Sequence, residues 1–346
     1  MIQTNYDTKL FEISNRYLCT SGYLTRAWDL VTGEMIMSLS LGEKDIRVTA
    51  LAFKPGLTAE NEGLLLWLGT NYGDLHEVDI SNQAIICTES AAHDRREIVK
   101  VFRCRNNMWT LDDDGRLNIW HGSEVDLPSL RSGPRVRRIP RGHSFSILVR
   151  DTLWLANGTT IRIFRPNSDD DVKFVVRDEP LTQPGAGEIT SGATIPGKVG
   201  VVYFGHADGK VTSYSTRDFT CLGIFNVSHY KINCLSGAGS YLWAGYSNGM
   251  IYVYDTNTRP WKTKKDWRAH DRPVINILVD LRSVWNCAQL QVASISTDNT
   301  VRLWDGILEE DWLGIRIPIC TGRPSLIISQ RMICMNMKLN IVAFER

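Results

Sequence analysis

At 346 residues the chain can hold two small domains or one large all-β domain, and 43% apolar residues is ordinary for a globular protein with a sizeable core. Lys and Arg number 39 against 38 Asp and Glu, so no global field favours nucleic acid or an anionic membrane. No apolar run approaches the roughly 18–20 residues that a transmembrane helix needs.

One pattern recurs along the chain: a short apolar strand, a turn with Gly or Asn, then an alternating strand that ends in a large residue, usually aromatic. The first copy ends at Ala27-Trp28-Asp29, and the second runs from Asn71-Tyr72-Gly73-Asp74 to Glu77-Val78-Asp79. The third is Asp113-Asp114-Gly115-Arg116-Leu117-Asn118-Ile119-Trp120, and the fourth is Asn157-Gly158-Thr159-Thr160-Ile161-Arg162-Ile163-Phe164. The fifth ends at Tyr214 and the sixth at Tyr254-Asp255. The seventh is Thr297-Asp298-Asn299-Thr300-Val301-Arg302-Leu303-Trp304-Asp305.

Aligned on residues 28, 78, 120, 164, 214, 254 and 304, the copies step by about 40–50 residues, the period of a four-stranded propeller blade. The residue five before the aligned position is often Gly or Asn, as tight hairpins with positive φ require. The strand that follows alternates, Val301 and Leu303 against Arg302 and Trp304, which suits a sheet covered on both faces. The expected fold is all-β, a seven-bladed propeller over residues 1–312 with a divergent tail over 313–346. The eleven Trp are then filler between radially splayed sheets. Seven in-phase matches disfavour a two-sheet sandwich with scattered Trp-Asp pairs.

The copies resemble WD repeats, in which a His before the first strand, a Ser or Thr on the second, an Asp in the next turn and a Trp on the third form a buried hydrogen-bonded set. His270, Ser294, Asp298 and Trp304 match in blade seven, and His93, Thr110, Asp114 and Trp120 match in blade three. In both, the hydroxyl lies ten before the Trp and the Asp six before it. Blade six has His229 with Ala244, Asn248 and Tyr254, blade four has His143 without a turn Asp, and blade one lacks the His; these are expected to rest on packing alone. A Ser/His/Asp grouping also suggests a hydrolase, but two copies in a structural slot would mean two active sites, so no catalytic residue is assigned.

Longer stretches carry a narrower resemblance. They include Leu68-Gly69-Thr70-Asn71-Tyr72-Gly73-Asp74, Met108-Trp109-Thr110-Leu111-Asp112-Asp113-Asp114-Gly115, Tyr230-Lys231-Ile232-Asn233-Cys234-Leu235, Lys265-Asp266-Trp267-Arg268-Ala269-His270 and Trp304-Asp305-Gly306-Ile307-Leu308-Glu309-Glu310-Asp311-Trp312. Over roughly residues 8–312 the chain resembles the N-terminal propeller of fungal inositol polyphosphate 5-phosphatases, with plant relatives of the same layout. The resemblance implies a Mg²⁺-dependent phosphoesterase domain after the propeller. The Trp-Asn and Pro-x-Trp-Cys-Asp-Arg signatures of that domain are not carried over: Trp285-Asn286 falls inside blade seven and precedes Cys287. No cofactor is therefore expected for this chain, Mg²⁺ belonging to the phosphatase domain of full-length relatives.

The segment Arg131, Arg135, Arg137, Arg138 and Arg141 reads as a basic linker between blades three and four and as a candidate anion site; a solvated loop is the competing reading. Lys262, Lys264, Lys265 and Arg268 form a smaller basic cluster without a nucleic-acid module. Asp169-Asp170-Asp171 reads as a solvated loop, His206 and Asp208 fall in a repeated turn rather than a metal site, and Pro180, Pro184, Gly185 and Gly187 mark a linker. The start Met1-Ile2-Gln3-Thr4 lacks the regions of a signal peptide, and the eight cysteines include no C-x-x-C pair, so reduced thiols and a cytoplasmic location are expected.

A propeller must supply its last blade from both chain ends or leave an exposed edge. With residues 9–13 needed in blade one, residues 339–344 are a candidate closing strand, and a truncated end is the competing reading. The functional expectation is a non-catalytic protein-interaction platform, with protein partners on the propeller faces and weak phosphoinositide or membrane-surface contact. Two alternatives stand beside it: a truncated product of a phosphoinositide 5-phosphatase gene, and a scaffold subunit of an unrelated complex.

Overall fold

The computed structural model of the protein describes residues 2–3, 8–14, 17–30, 32–42, 45–58, 60–123, 125–167, 173–279 and 292–304. The acidic run 169–171, the loop 285–287 and the tail 313–346, with its candidate closing strand 339–344, lie outside the described residues.

The described strands form seven four-stranded antiparallel sheets. Blade one is Leu10–Ser14, Tyr17–Ser21, Thr25–Asp29 and Met35–Leu39; blade two is Val48–Phe53, Leu65–Thr70, Leu75–Asp79 and Ala84–Glu89. Blade three is Ile98–Cys104, Asn107–Asp112, Arg116–Trp120 and Arg135–Arg138; blade four is Phe145–Val149, Thr152–Asn157, Thr160–Phe164 and Leu181–Thr182. Blade five is Ile189–Thr194, Val201–His206, Lys210–Ser215 and Cys221–Asn226; blade six is Ile232–Ala238, Tyr241–Tyr246, Met250–Asp255 and Lys262–Arg268. Blade seven takes Val274–Val279, Val292–Ser296 and Thr300–Trp304 from the end of the described chain and Ile2–Gln3 from its start. All seven aligned positions fall on third strands.

The turn before each third strand explains its sequence. Gly115 has φ +85°, and a β-carbon there would stand 2.1 Å from the Ile139 carbonyl oxygen, so only glycine fits. Blade seven meets the same need with Asn299 at φ +63°, a residue that tolerates the left-handed region.

The core lies between blades rather than within them. Among the described residues seven apolar clusters occupy the seven junctions, one of them with Leu66, Leu68 and Phe53 of blade two against Cys19, Ala27 and Met37 of blade one. Trp67, Trp109, Trp154 and Trp243 stand third on their second strands and are fully buried. Trp67 meets Trp120 of the next blade edge-on at 5.6 Å, and Trp267 meets Trp304 across blades six and seven at 5.2 Å.

The inner strands are laced together. Five of the seven first strands shift register after their first residue, as between Val48 and Ala50 or between Ile232 and Cys234. Three of the residues so skipped send a polar side chain to the neighbouring inner strand: Thr49 Oγ1 donates to Ile98 O at 2.7 Å, Thr190 Oγ1 to Ile232 O at 2.5 Å, and Asn233 Nδ2 to Val274 O at 3.0 Å. At the same junctions the second strand carries Gly69, Gly205 or Gly245, where a β-carbon would come within 2.7 Å of Ile98, Ile232 or Val274.

The ring closes at the N terminus. Ile2 and Gln3 pair antiparallel with Val301 and Thr300, and Phe11, Ile13 and Leu18 of blade one pack against Ala293, Ile295, Val301 and Leu303 of blade seven. Residues 9–13 do serve blade one; the closing pair comes from the few residues before them.

Antiparallel order gives the ring two faces. One carries the turns between second and third strands and the passages from blade to blade, and is called here the crossover face. The opposite face carries the turns between first and second and between third and fourth strands.

Candidate interaction site

In blade seven, His270 Nδ1 lies 3.1 Å from the Asp298 carboxylate and Nε2 lies 2.7 Å from Ser294 Oγ, to which Trp304 Nε1 donates at 2.8 Å. The indole can only donate, so Ser294 accepts from it and donates to His270 Nε2, while Nδ1–H is shared between Asp298 and Thr300 Oγ1, at 3.0 Å, whose hydroxyl donates to Asp298 at 2.6 Å. Burial holds His270 below the usual imidazole range, outweighing the attraction of Asp298, which fits a neutral ring. Ser294 is fully buried and its hydroxyl committed, so no substrate can reach it as a nucleophile.

Blade three builds the set from a different carboxylate. His93 Nε2 lies 2.7 Å from Thr110 Oγ1, and Trp120 Nε1 donates to the same oxygen at 3.3 Å. His93 Nδ1 reaches Asp112 at 2.9 Å, not Asp114. Asp112 shares its strand face with Thr110, two residues earlier, and so faces the same ring. Its other oxygen takes the N–H groups of Asp114 and Arg116 at 3.0 and 2.8 Å. In blade seven Ser296 holds the equivalent place and caps Asp298 N at 3.2 Å, which leaves Asp298 to reach the histidine.

The remaining blades do not rest on packing alone. In blade two, Trp67 Nε1 and Lys54 Nζ both donate to the buried Glu77 carboxylate at 2.9 Å. In blade four, His143 Nε2 lies 2.9 Å from Ser146 Oγ. In blade five, His206 Nδ1 donates to Gly187 O at 2.7 Å and Nε2 accepts from Thr212 Oγ1 at 2.9 Å, while Asp208 turns to Lys210 at 2.7 Å. In blade six, Tyr246 and Tyr254 share a hydroxyl contact of 2.8 Å, and His229 is exposed. Among the described residues no three His, Cys, Asp or Glu side chains stand together as a metal site.

The basic segment is not a linker. Arg135–Arg138 is the outer strand of blade three, with alternate residues more exposed. Arg138 lies 3.3 Å from Asp114 and Arg141 pairs with the same carboxylate, while Arg137 sits 5.4 Å over the Phe174 ring. Arg131 is exposed in the preceding turn. The structure thus draws Arg138 and Arg141 to one carboxylate. Of the other basic cluster, Lys264 covers the Tyr241 ring at 5.6 Å.

The crossover face presents what an interface uses. Tyr23 of blade one, Tyr72 of blade two and Tyr230 between blades five and six are 67%, 45% and 55% exposed. The turn holding Tyr72 is fixed at both ends. Thr70 Oγ1 accepts from the N–H groups of Tyr72 and Asp74, Asn71 bonds the backbone of Asp45 and Arg47, and Asp74 caps Ala91 N at 2.7 Å. Around it run ion pairs between turns, Arg47 with Glu97 at 3.6 Å and Arg116 with Asp94. On the opposite face the buried Glu62 ties three blades together, accepting from Ser14 at 3.0 Å, from Gly56 N at 3.0 Å and from both terminal nitrogens of Arg103. The sequence signal for the tyrosines was faint, one aromatic in each polar turn; for Glu62 there was none.

Among five described cysteines, all free thiols, Cys19, Cys104 and Cys234 are buried, and burial pushes Cys104 up to about 11 and Cys234 up to about 12.

No family model matches the chain. Over 323 residues, 90% of this chain, it is 35% identical to a probable inositol polyphosphate 5-phosphatase of Schizosaccharomyces pombe, and it spans 26% of that protein's length. A chain in the crystal structure of the mitotic checkpoint complex superposes with TM-score 0.67 at 13% identity, covering 88% of this chain and 92% of that one. The computationally designed Ika8 protein superposes with TM-score 0.60 at 17% identity, covering 86% and 83%. The fold is that of a seven-bladed β-propeller, and the sequence is similar to one segment of a much longer phosphatase.

Proposed function

We propose that this propeller is a non-catalytic platform that binds protein partners through its crossover face, centred on Tyr23 and Tyr72. The observation that carries the reading is the combination at that face: exposed tyrosines on adjacent blades, with the Tyr72 turn held by hydrogen bonds at both ends and bordered by paired charges. Tyrosine and arginine are favoured at interface hot spots, and a turn that is already rigid loses little entropy on binding. The buried histidine sets support the same reading, since both serve as struts whose hydroxyls are committed to neighbours.

The similarity to the yeast phosphatase supports a second element. We assign the platform to inositol phosphate or phosphoinositide metabolism, where it positions a 5-phosphatase activity carried by other residues against a membrane or a complex. A cytoplasmic setting fits that assignment.

Cross-linking mass spectrometry on the chain captured from its own cells tests the platform. Cross-links and oxidative protection at Tyr23 and Tyr72, with capture falling about tenfold in a Tyr23→Ala/Tyr72→Ala variant, are expected. Capture that survives the double substitution, with contacts mapped elsewhere, removes the crossover face from the proposal.

A further inference from the structure

A second surface lies far from those tyrosines, on the opposite face between blades five and six. Gly197, Lys198 and Val199 of one turn and Thr256, Arg259 and Trp261 of another border a cavity of about 370 Å³. Its wall is aromatic. Trp261 stacks on Phe225 at 4.1 Å and meets Tyr203 edge-on at 5.8 Å, so blade six contributes the ring and blade five its support. Val199 is 77% exposed at the rim, and Leu222 is 41% exposed beside it.

Two cations stand at this cleft. Lys198 Nζ donates to Thr256 Oγ1 at 2.5 Å, and Tyr203 Oη donates to the same oxygen at 3.3 Å. Burial holds the Lys198 ammonium below its usual range, more strongly than Asp255 raises it. Arg259 is exposed, and its side chain has no hydrogen-bond or ion-pair partner among the described residues. Next to the cleft runs the outer strand Cys221–Asn226, the edge of its sheet. Edge strands are ordinarily blunted by charge, as Lys262–Arg268 and Arg135–Arg138 are here. Cys221–Asn226, like Met35–Leu39 of blade one and the short Leu181–Thr182 of blade four, carries no charged residue, and of the three it is the one beside a cleft that holds cations.

We propose that this cleft binds an extended acidic peptide of a partner protein, which adds to the Cys221–Asn226 edge, seats a large apolar side chain against Trp261 and Val199, and places a carboxylate between Lys198 and Arg259. Main-chain pairing supplies affinity and the pocket for alternate side chains supplies specificity. A polyphosphorylated headgroup suits the cleft less well. It would meet two cations, one already bonded to Thr256, across a wall of three aromatic rings. The site is independent of the crossover face and adds the chemistry of a ligand to the platform.

Random dodecapeptides displayed on phage and panned against the full chain give the test, followed by anisotropy with the fluorescein-labelled consensus peptide. The expected consensus sets Asp or Glu beside Phe, Leu or Trp. Arg259→Glu and Val199→Asp, both at exposed positions, should weaken its binding by about tenfold or more, while Tyr23→Ala/Tyr72→Ala leaves it within about twofold. No enriched peptide, a basic or uncharged consensus, or binding indifferent to Arg259→Glu and Val199→Asp overturns the proposal. Loss of enrichment at the cleft with peptides mapping to Tyr23 and Tyr72 overturns the cleft and leaves the platform standing. Phosphatidylcholine vesicles doped with phosphatidylinositol 4,5-bisphosphate form the second arm: sedimentation of the wild type but not of Arg259→Glu would assign the cleft to a lipid headgroup and overturn the peptide.

Discussion

Asp112 and His93 are a buried pair, carboxylate to Nδ1 at 2.9 Å, and the same carboxylate caps the turn that leads to Trp120. One side chain thus orients the ring and closes the hairpin. Burial opposes its ionisation, but His93 and the N–H groups of Arg116 and Asp114 outweigh this and hold the carboxyl below its usual range.

Asp112→Ala should therefore cost about 2–3 kcal/mol, because it strands a buried histidine and two turn amides. Asp114→Ala removes only exposed pairings with Arg138 and Arg141 and should cost about 0–1 kcal/mol. Urea midpoints of the two variants, measured side by side, check the ranking.

Gly69→Ala places a β-carbon 2.7 Å from Ile98 Cγ2, a neighbour locked in the inner strand of the next blade. The junction must open, at about 1–3 kcal/mol. Gly133 has open space around it and no positive φ, so Gly133→Ala should be neutral or gain about 0.4–1 kcal/mol. Thermal unfolding of both variants gives the comparison.

Acid should loosen the ring in two stages. Burial, with Lys100 adding to it, pulls His143 from 6.5 down to about 4, and His206 and His270 are lowered in the same direction. A base held neutral in the fold contributes stability that is complete above its unfolded pKa. That contribution declines as pH falls from 6.5 toward the folded value, because the unfolded chain takes the proton first. Asp112 and Asp298, both lowered from 3.8, add a second loss below that pH. Melting temperature against pH should fall from about 6.5 downward, and His143→Gln should flatten the part of the fall between about 6.5 and 4.

How much of this was readable in the sequence depended on the kind of residue. Third strands were legible because Trp28, Trp120, Tyr254 and Trp304 end alternating stretches at blade spacing. Outer strands were not. Arg135–Arg138 looks like a charged loop because an edge strand needs charge more than it needs apolar alternation, and Leu181–Thr182 is too short to show a period. Asp112 and Asp114 are both acids at the same turn, and only the strand face decides which meets His93. The cleft at Trp261 joins residues from two blades, so no local pattern announces it.

The two-residue strand Ile2–Gln3 supplies the outer edge of blade seven. Removing residues 1–3 should expose Thr300–Trp304 as an edge. Hydrogen exchange there should rise while exchange in Ile98–Cys104, across the ring, stays unchanged.

Phosphate release decides whether this chain binds without itself catalysing. The purified chain is incubated with phosphatidylinositol 4,5-bisphosphate and Mg²⁺. Release should be no higher than that of a boiled sample; turnover above that control, proportional to the amount of chain added, would make the chain an enzyme.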